Sequence, residues 1–218
     1  MTAPYTPAQV IPKDLADAVD ALPYWFVIGG QAVRCFAPYR PSRDVDFGID
    51  SADNLDDLVR QLKRRGDVEL QEQSADTVHL LWNGTKVSAF VVPHLVRHVE
   101  DRHLDVTGIL ATKLQVILDR GLRRDFFDLY VMLQHHRLGI VSALAAMRTV
   151  YPGQVDEGLL LRALTYFDDA QREAAVPGER RSDWRVVKDY FLTQVGCLLT
   201  PPLRRLGIQA QTTDVRHE

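Results

Sequence analysis

Cysteine is nearly absent: Cys35 and Cys197 are the only two, which excludes a disulfide framework and a four-cysteine zinc site. An excess of basic charge is absent as well. The 26 Lys and Arg stand against 29 Asp and Glu, a formal charge of −3, so contact with a nucleic acid would have to come from a local patch. Long apolar runs are missing. The longest uncharged stretch near the N-terminus, Ala21 to Val33, contains two glycines and falls far short of a membrane span. Ahead of it, Lys13, Asp14, Asp17 and Asp20 do not make a signal peptide, so the expectation is a cytoplasmic protein with no membrane partner. What remains, 46% apolar and 25% charged residues, is the composition of an ordinary globular chain.

The first half alternates short apolar runs with helical patterns. Leu15, Ala18, Val19 and Leu22 share a helical face within Ile11 to Leu22, which Pro23 ends. Tyr24 to Ile28 is a β-rich run closed by Gly29-Gly30, and a short helix fits Gln31 to Phe36. Asp44 to Ile49 alternates polar and apolar and predicts a strand. Ser51 or Asp53 can cap a helix to Arg65 with Leu55, Leu58 and Leu62 on one face. Asn83-Gly84 between Val78–Trp82 and Lys86–Val92 predicts a hairpin. After Pro93 the patterns are helical: Val106–Leu118, Arg124–His136, Ile140–Thr149, Gly158–Ala170 and Trp184–Leu199. The fold class expected is α+β, with a sheet domain over residues 1–100, a helical domain over 101–208 and a frayed tail over 209–218.

Two segments carry chemistry. Gly29-Gly30 sits where a strand turns into a helix, a place where free backbone amides can meet an anion such as a phosphate. In the next strand, Asp44 and Asp46 are two apart and project from one face, making a hard-oxygen site suited to one or two Mg²⁺ ions. Taken alone, an Asp-x-Asp is more often a solvated strand face and a Gly-Gly is usually a turn. Together they describe a site for a triphosphate and a metal. Downstream, Arg124-Asp125-x-x-Asp128 places neighbours on one helix and by itself describes a surface set of ion pairs.

Strand–Gly-Gly–helix followed by Ser42-Arg43-Asp44-Val45-Asp46-Phe47 resembles the nucleotidyltransferase superfamily typified by DNA polymerase beta. The string Ala111-Thr112-Lys113, then Arg120, then Arg124 to Tyr130 is similar to the second half of the AbiEii/AbiGii toxin family, whose members include MenT-like toxins of type IV toxin–antitoxin systems. The resemblance continues through Leu164–Ala170 and Trp184–Lys188.

The resemblance implies a polymerase-beta-like sheet domain followed by a helical domain. It implies Mg²⁺-dependent transfer of a nucleotide from a nucleoside triphosphate, ATP or CTP, to the 3′ end of tRNA, and a cognate antitoxin as partner. Asp44 and Asp46 match the metal-binding pair. Gly29, Gly30 and Ser42, with Arg43, match the phosphate loop, and Lys113 and Asp128 match the catalytic lysine and aspartate, with Asp125 as companion acid. Two features depart from the pattern. Gln31 stands where a Ser or Thr is frequent, and Lys86 to Val91 supplies no third carboxylate, only Ser88; Asp128 is then expected to close the site from the helical side. Transfer to a small molecule or a protein is the alternative, as is a nucleotide- or RNA-binding module without catalysis. His94, His98 and His103 are spaced loosely enough that loop positions explain them better than a metal.

Overall fold

The computed structural model describes residues 4–42, 44–153 and 156–200. Arg43 and the tail beyond residue 200 lie outside the described residues, and with them the phosphate role expected of Arg43. The chain runs α1 (Pro7–Val10), α2 (Lys13–Val19), β1 (Trp25–Val27), α3 (Gly29–Phe36), β2 (Val45–Ile49), α4 (Ala52–Arg65), β3 (Val68–Gln73), β4 (Thr77–Trp82) and β5 (Thr85–Val91). A 3₁₀ turn (Pro93–His98) leads into β6 (Val99–Glu100) and β7 (His103–Leu104). Six helices follow: α5 (Val106–Asp119), α6 (Arg123–His136), α7 (Ile140–Val150), α8 (Glu157–Ala163), α9 (Asp168–Arg172) and α10 (Asp183–Leu199). No described helix is long and apolar enough to cross a membrane.

The strands form one mixed seven-stranded sheet in the order β3-β4-β5-β2-β1-β7-β6. Its centre pairs β2 antiparallel with β1 and parallel with β5. Period-two alternation divides the residues cleanly. Val45, Phe47 and Ile49 of β2, Val87 and Ala89 of β5, and Val78, Leu80 and Trp82 of β4 are buried on one face, and Leu55, Leu58 and Leu62 of α4 are buried with them in the same core. Trp82 Nε1 donates to the Leu62 carbonyl at 2.9 Å, so the indole is buried with its polar atom satisfied. The opposite face carries Asp46, Ser88 and His79. Ser51 caps α4 by accepting from Asn54 N–H. Asn83 and Gly84, both at positive φ, make the two-residue turn between β4 and β5.

α1, β3, β6 and β7 have no counterpart in the sequence expectation, and one expected helix is divided. β3 has no apolar alternation and is exposed almost throughout; it forms because β4 offers it a free edge. The single helix expected over Gly158–Ala170 is two, broken after Ala163, because Phe167 turns inward to meet Phe126 and Trp184. Those rings, with Phe191 and Phe127, form the aromatic centre of the helical part. Trp184 is therefore a core residue, with the Arg123 guanidinium stacked on its indole at 4.9 Å and also paired with Glu179. The sheet extends past residue 100 through β7, and the buried core is continuous from α1 to α10.

Candidate active site

The site forms where the β1–α3 turn meets β2. Gly29 and Gly30 open α3, so their N–H groups precede the first intrahelical bond, Ala32 N–H to Ile28 carbonyl at 3.2 Å. Gly29 has φ +60°, and a Cβ there would lie 2.6 Å from Asp46 Oδ2. Both facts require glycine. A Cβ on Gly30 would meet Arg40 Nη2 at 3.0 Å and Ser42 Oγ at 3.2 Å. The turn, Ser42, Arg40 and the Asp46 carboxylate thus share one small volume.

Gln31 does not reach outward in place of a hydroxyl. It is buried, and its Nε2 donates to the carbonyls of Asp44 (3.1 Å) and Ser42 (3.3 Å), while Arg34 donates to its Oε1 at 2.9 Å. Ser42 Oγ also donates to the Asp44 carbonyl, at 3.2 Å. Gln31 therefore staples the loop before β2 onto α3, which fixes where Asp44 and Asp46 stand. Arg34 serves that staple and the Val10 carbonyl, so it takes no part in an anion site.

Neither the Asp44 nor the Asp46 carboxylate has a hydrogen-bond or ion-pair partner among the described residues. Burial pushes the Asp46 carboxyl above its ordinary range; Lys113, and less strongly Arg124 and Arg120, pull it back, while Asp44 adds to the rise. Two carboxylates without such partners, one on β2 and one on the residue leading into it, are a donor set that fits a hard divalent cation. No three of His, Cys, Asp and Glu converge on a metal position among the described residues. His98 instead faces Asp105, His103 Nδ1 faces its neighbour's carbonyl, and His94 packs at a tilt against the Tyr151 ring.

Asp128, expected to close the site from the helical side, is engaged by two cationic side chains and a hydroxyl. It is 1% exposed and both oxygens are taken. Oδ2 accepts from Lys113 Nζ at 2.7 Å and Arg40 Nη2 at 2.8 Å, and Oδ1 accepts from Arg40 Nε at 3.0 Å and from the Tyr39 hydroxyl. Burial pushes its carboxyl up, but Lys113 and Arg40 outweigh that and hold it below the usual range. Asp125, also buried, lies 3.7 Å from Lys113 Nζ and accepts from Arg120 Nε at 3.1 Å. Lys113 is therefore buried, 4% exposed, between two aspartates, and its charge is felt by a third, Asp46. Arg124 is exposed and has no ion-pair partner among the described residues, and its charge, like that of Arg120, is felt at Asp46. Tyr39 carries no sequence signal for this role; its contact spans 89 residues.

The sequence model of the AbiEii nucleotidyl transferase toxin of type IV toxin–antitoxin systems matches residues 87–195, half of the chain. The chain belongs to the AbiEii nucleotidyltransferase family. The matched segment of this AbiEii-family chain runs from β5 to α10 and contains Lys113, Asp125 and Asp128, whereas the glycine turn and Asp44–Asp46 precede it. An uncharacterized protein, aq_aa25, of Aquifex aeolicus is 25% identical over 180 residues, covering 78% of this chain and 86% of its own. Among solved structures, a candidate nucleotidyltransferase from H. pylori is 16% identical with a TM-score of 0.50, covering 87% of this chain and 95% of that one, a likeness of fold. JHP933 from Helicobacter pylori, also 16% identical, covers 85% and 92% with a TM-score of 0.44. Membership makes the chain a nucleotidyltransferase with a nucleoside triphosphate as donor, and it implies an antitoxin partner.

The close approach at Gly29 gives a sharp test. Gly29→Ala places a methyl against Asp46 and forces a left-handed residue, so a loss of about 1–2 kcal/mol of stability is expected together with loss of triphosphate binding. Gly30→Ala, which meets only movable side chains, should be milder in both thermal melts and binding.

Proposed function

We propose that this AbiEii-family chain transfers nucleotides from ATP or CTP to the 3′ end of tRNA in the cytoplasm, with Mg²⁺ held by Asp44 and Asp46. The observation that carries the reading is the pair of carboxylates without hydrogen-bond or ion-pair partners at the start of β2, Asp46 of which lies directly against the Gly29 turn and feels the charge of Lys113. When bound, Mg²⁺ would neutralise charge on the α-phosphate and the leaving pyrophosphate. Gly29, Gly30 and Ser42, with Arg43, would cradle the β- and γ-phosphates. Lys113, held by Asp128 and Asp125, would supply positive charge to the triphosphate. Asp128 acts through Lys113 and Arg40, and so is a positioning residue. Arg120 and Arg124 give the local basic surface that an RNA end needs on a chain of net charge −3.

The experiment incubates the protein with Mg²⁺, total tRNA and each α-labelled nucleoside triphosphate in turn. Label is expected to enter tRNA with one or two of the four triphosphates, and tRNA binding is expected to weaken steeply with salt. Label that enters only small molecules or proteins, with tRNA unlabelled, would sink the tRNA reading.

A further inference from the structure

The sheet face that carries Asp46 continues across β5 and β4. Register sets Ser88 directly beside Asp46 and His79 directly beside Ser88, at the usual spacing of about 4.8 Å per strand. His79 Nδ1 lies 2.8 Å from Ser88 Oγ, and the Phe90 ring meets the imidazole edge-on at a centroid distance of 5.6 Å. The ring is thus held by a hydrogen bond on one side and an aromatic edge on the other. Ser88 is buried while His79 stays partly open, and Nε2 has no hydrogen-bond partner among the described residues. On β2, β5 and the residue leading into β2, Asp44 and Asp46 are the sole carboxylates, and both face the expected metal. Asp128 is fully engaged elsewhere. Beyond them this face offers His79 of β4 and, one strand further from Asp46, Glu72 of β3 as proton acceptors, and His79 is the nearer.

We propose that His79 is a catalytic residue of the transfer, the base for the acceptor hydroxyl, with Ser88 as its positioning residue; this rests on the transferase reading of the Asp44–Asp46 site. The proposal requires the tautomer in which Nδ1–H donates to Ser88 Oγ, which leaves the Nε2 lone pair on the open side. In the step, the acceptor's proton passes to Nε2 and its oxygen forms a bond to the α-phosphorus. The bond from that phosphorus to the β-phosphate's bridging oxygen breaks, and pyrophosphate leaves with the electron pair. His79 ends as the imidazolium and returns its proton to solvent.

The test follows pyrophosphate release by the full chain with Mg²⁺, the four nucleoside triphosphates and separate pools of tRNA, small hydroxylic molecules and protein as acceptors. His79→Ala should lower kcat by about 10²-fold or more with the KM for triphosphate unchanged, and added imidazole should restore a large part of the rate. Ser88→Ala should also lower kcat, whereas Ser88→Thr, which keeps the hydroxyl, should not. A His79→Ala protein with wild-type kcat, or one whose loss imidazole does not repair, overturns the proposal while leaving the transferase reading standing. Should His79→Ala fail to fold, equal rates for Ser88→Ala and Ser88→Thr overturn it instead. Absence of turnover by the wild type with every acceptor pool overturns both readings.

Discussion

Asp46→Asn should end nucleotide transfer and at the same time raise the melting temperature. Transfer depends on positioning and on neutralising the charge of the phosphates, and the amide keeps Asp46's shape while removing its charge. The rate should fall on the order of 10³-fold. Stability moves the other way because burial, and next to it Asp44, disfavour the ionised Asp46 carboxylate in the folded chain, and the attraction of Lys113 and the arginines only partly offsets this. Neutralising one member of an uncompensated pair relieves the repulsion. A variant that is inactive but melts higher identifies a carboxylate kept for chemistry at a cost in stability. An inactive variant that melts lower would instead mark Asp46 as a structural residue.

Asp128→Ala should be the most destabilising single change in the site, by about 3–5 kcal/mol, because it strips a buried cation and a buried guanidinium of their shared counter-charge. A chain of this length should then melt on the order of 10 °C lower. Asp128 ties the Tyr39–Arg40 loop to α5 and α6, so transfer should be lost with it. Adding Lys113→Met to Asp128→Ala should recover part of the stability and none of the activity. The pH dependence has a definite sign. The folded carboxyl is held below its unfolded value, so its contribution is complete above the unfolded pKa of about 3.9 and is lost as pH falls through the lower native value. Melting temperatures of wild type and Asp128→Ala should therefore differ fully at neutral pH and converge in strong acid.

Local chemistry explains which parts of this fold are legible in the sequence. Asn83-Gly84 specifies its turn by backbone conformation alone, Ser51 caps α4 through a neighbour three residues on, and the Asp44–Asp46 alternation follows from the strand period. Once the two-residue turn is fixed, counting outward pairs His79 with Ser88, so that contact too was within reach of the sequence. The partners of Asp128 were not. Its helix offers Arg124 four residues back, and the expected pair would run along the surface. The folded chain instead buries Asp128 and brings Arg40 from 88 residues away, leaving Arg124 exposed. Gln31 shows the same limit: its residue type suggests a substitute for a hydroxyl, and only the packed loop reveals a staple between α3 and the backbone before β2. β3 lacks a pattern because it is exposed on both faces along most of its length, so pairing with β4, not burial, makes it a strand.

The proposed function rests on Asp44 and Asp46, beside the Gly29 turn, forming a metal-dependent triphosphate site. Titration calorimetry of the wild type and Asp46→Asn with each nucleoside triphosphate, with and without Mg²⁺, tests it most directly. Binding of at least one triphosphate by the wild type is expected, requiring Mg²⁺ and lost in Asp46→Asn. Equal binding without Mg²⁺, or undiminished Mg²⁺-dependent binding by the variant, would contradict it.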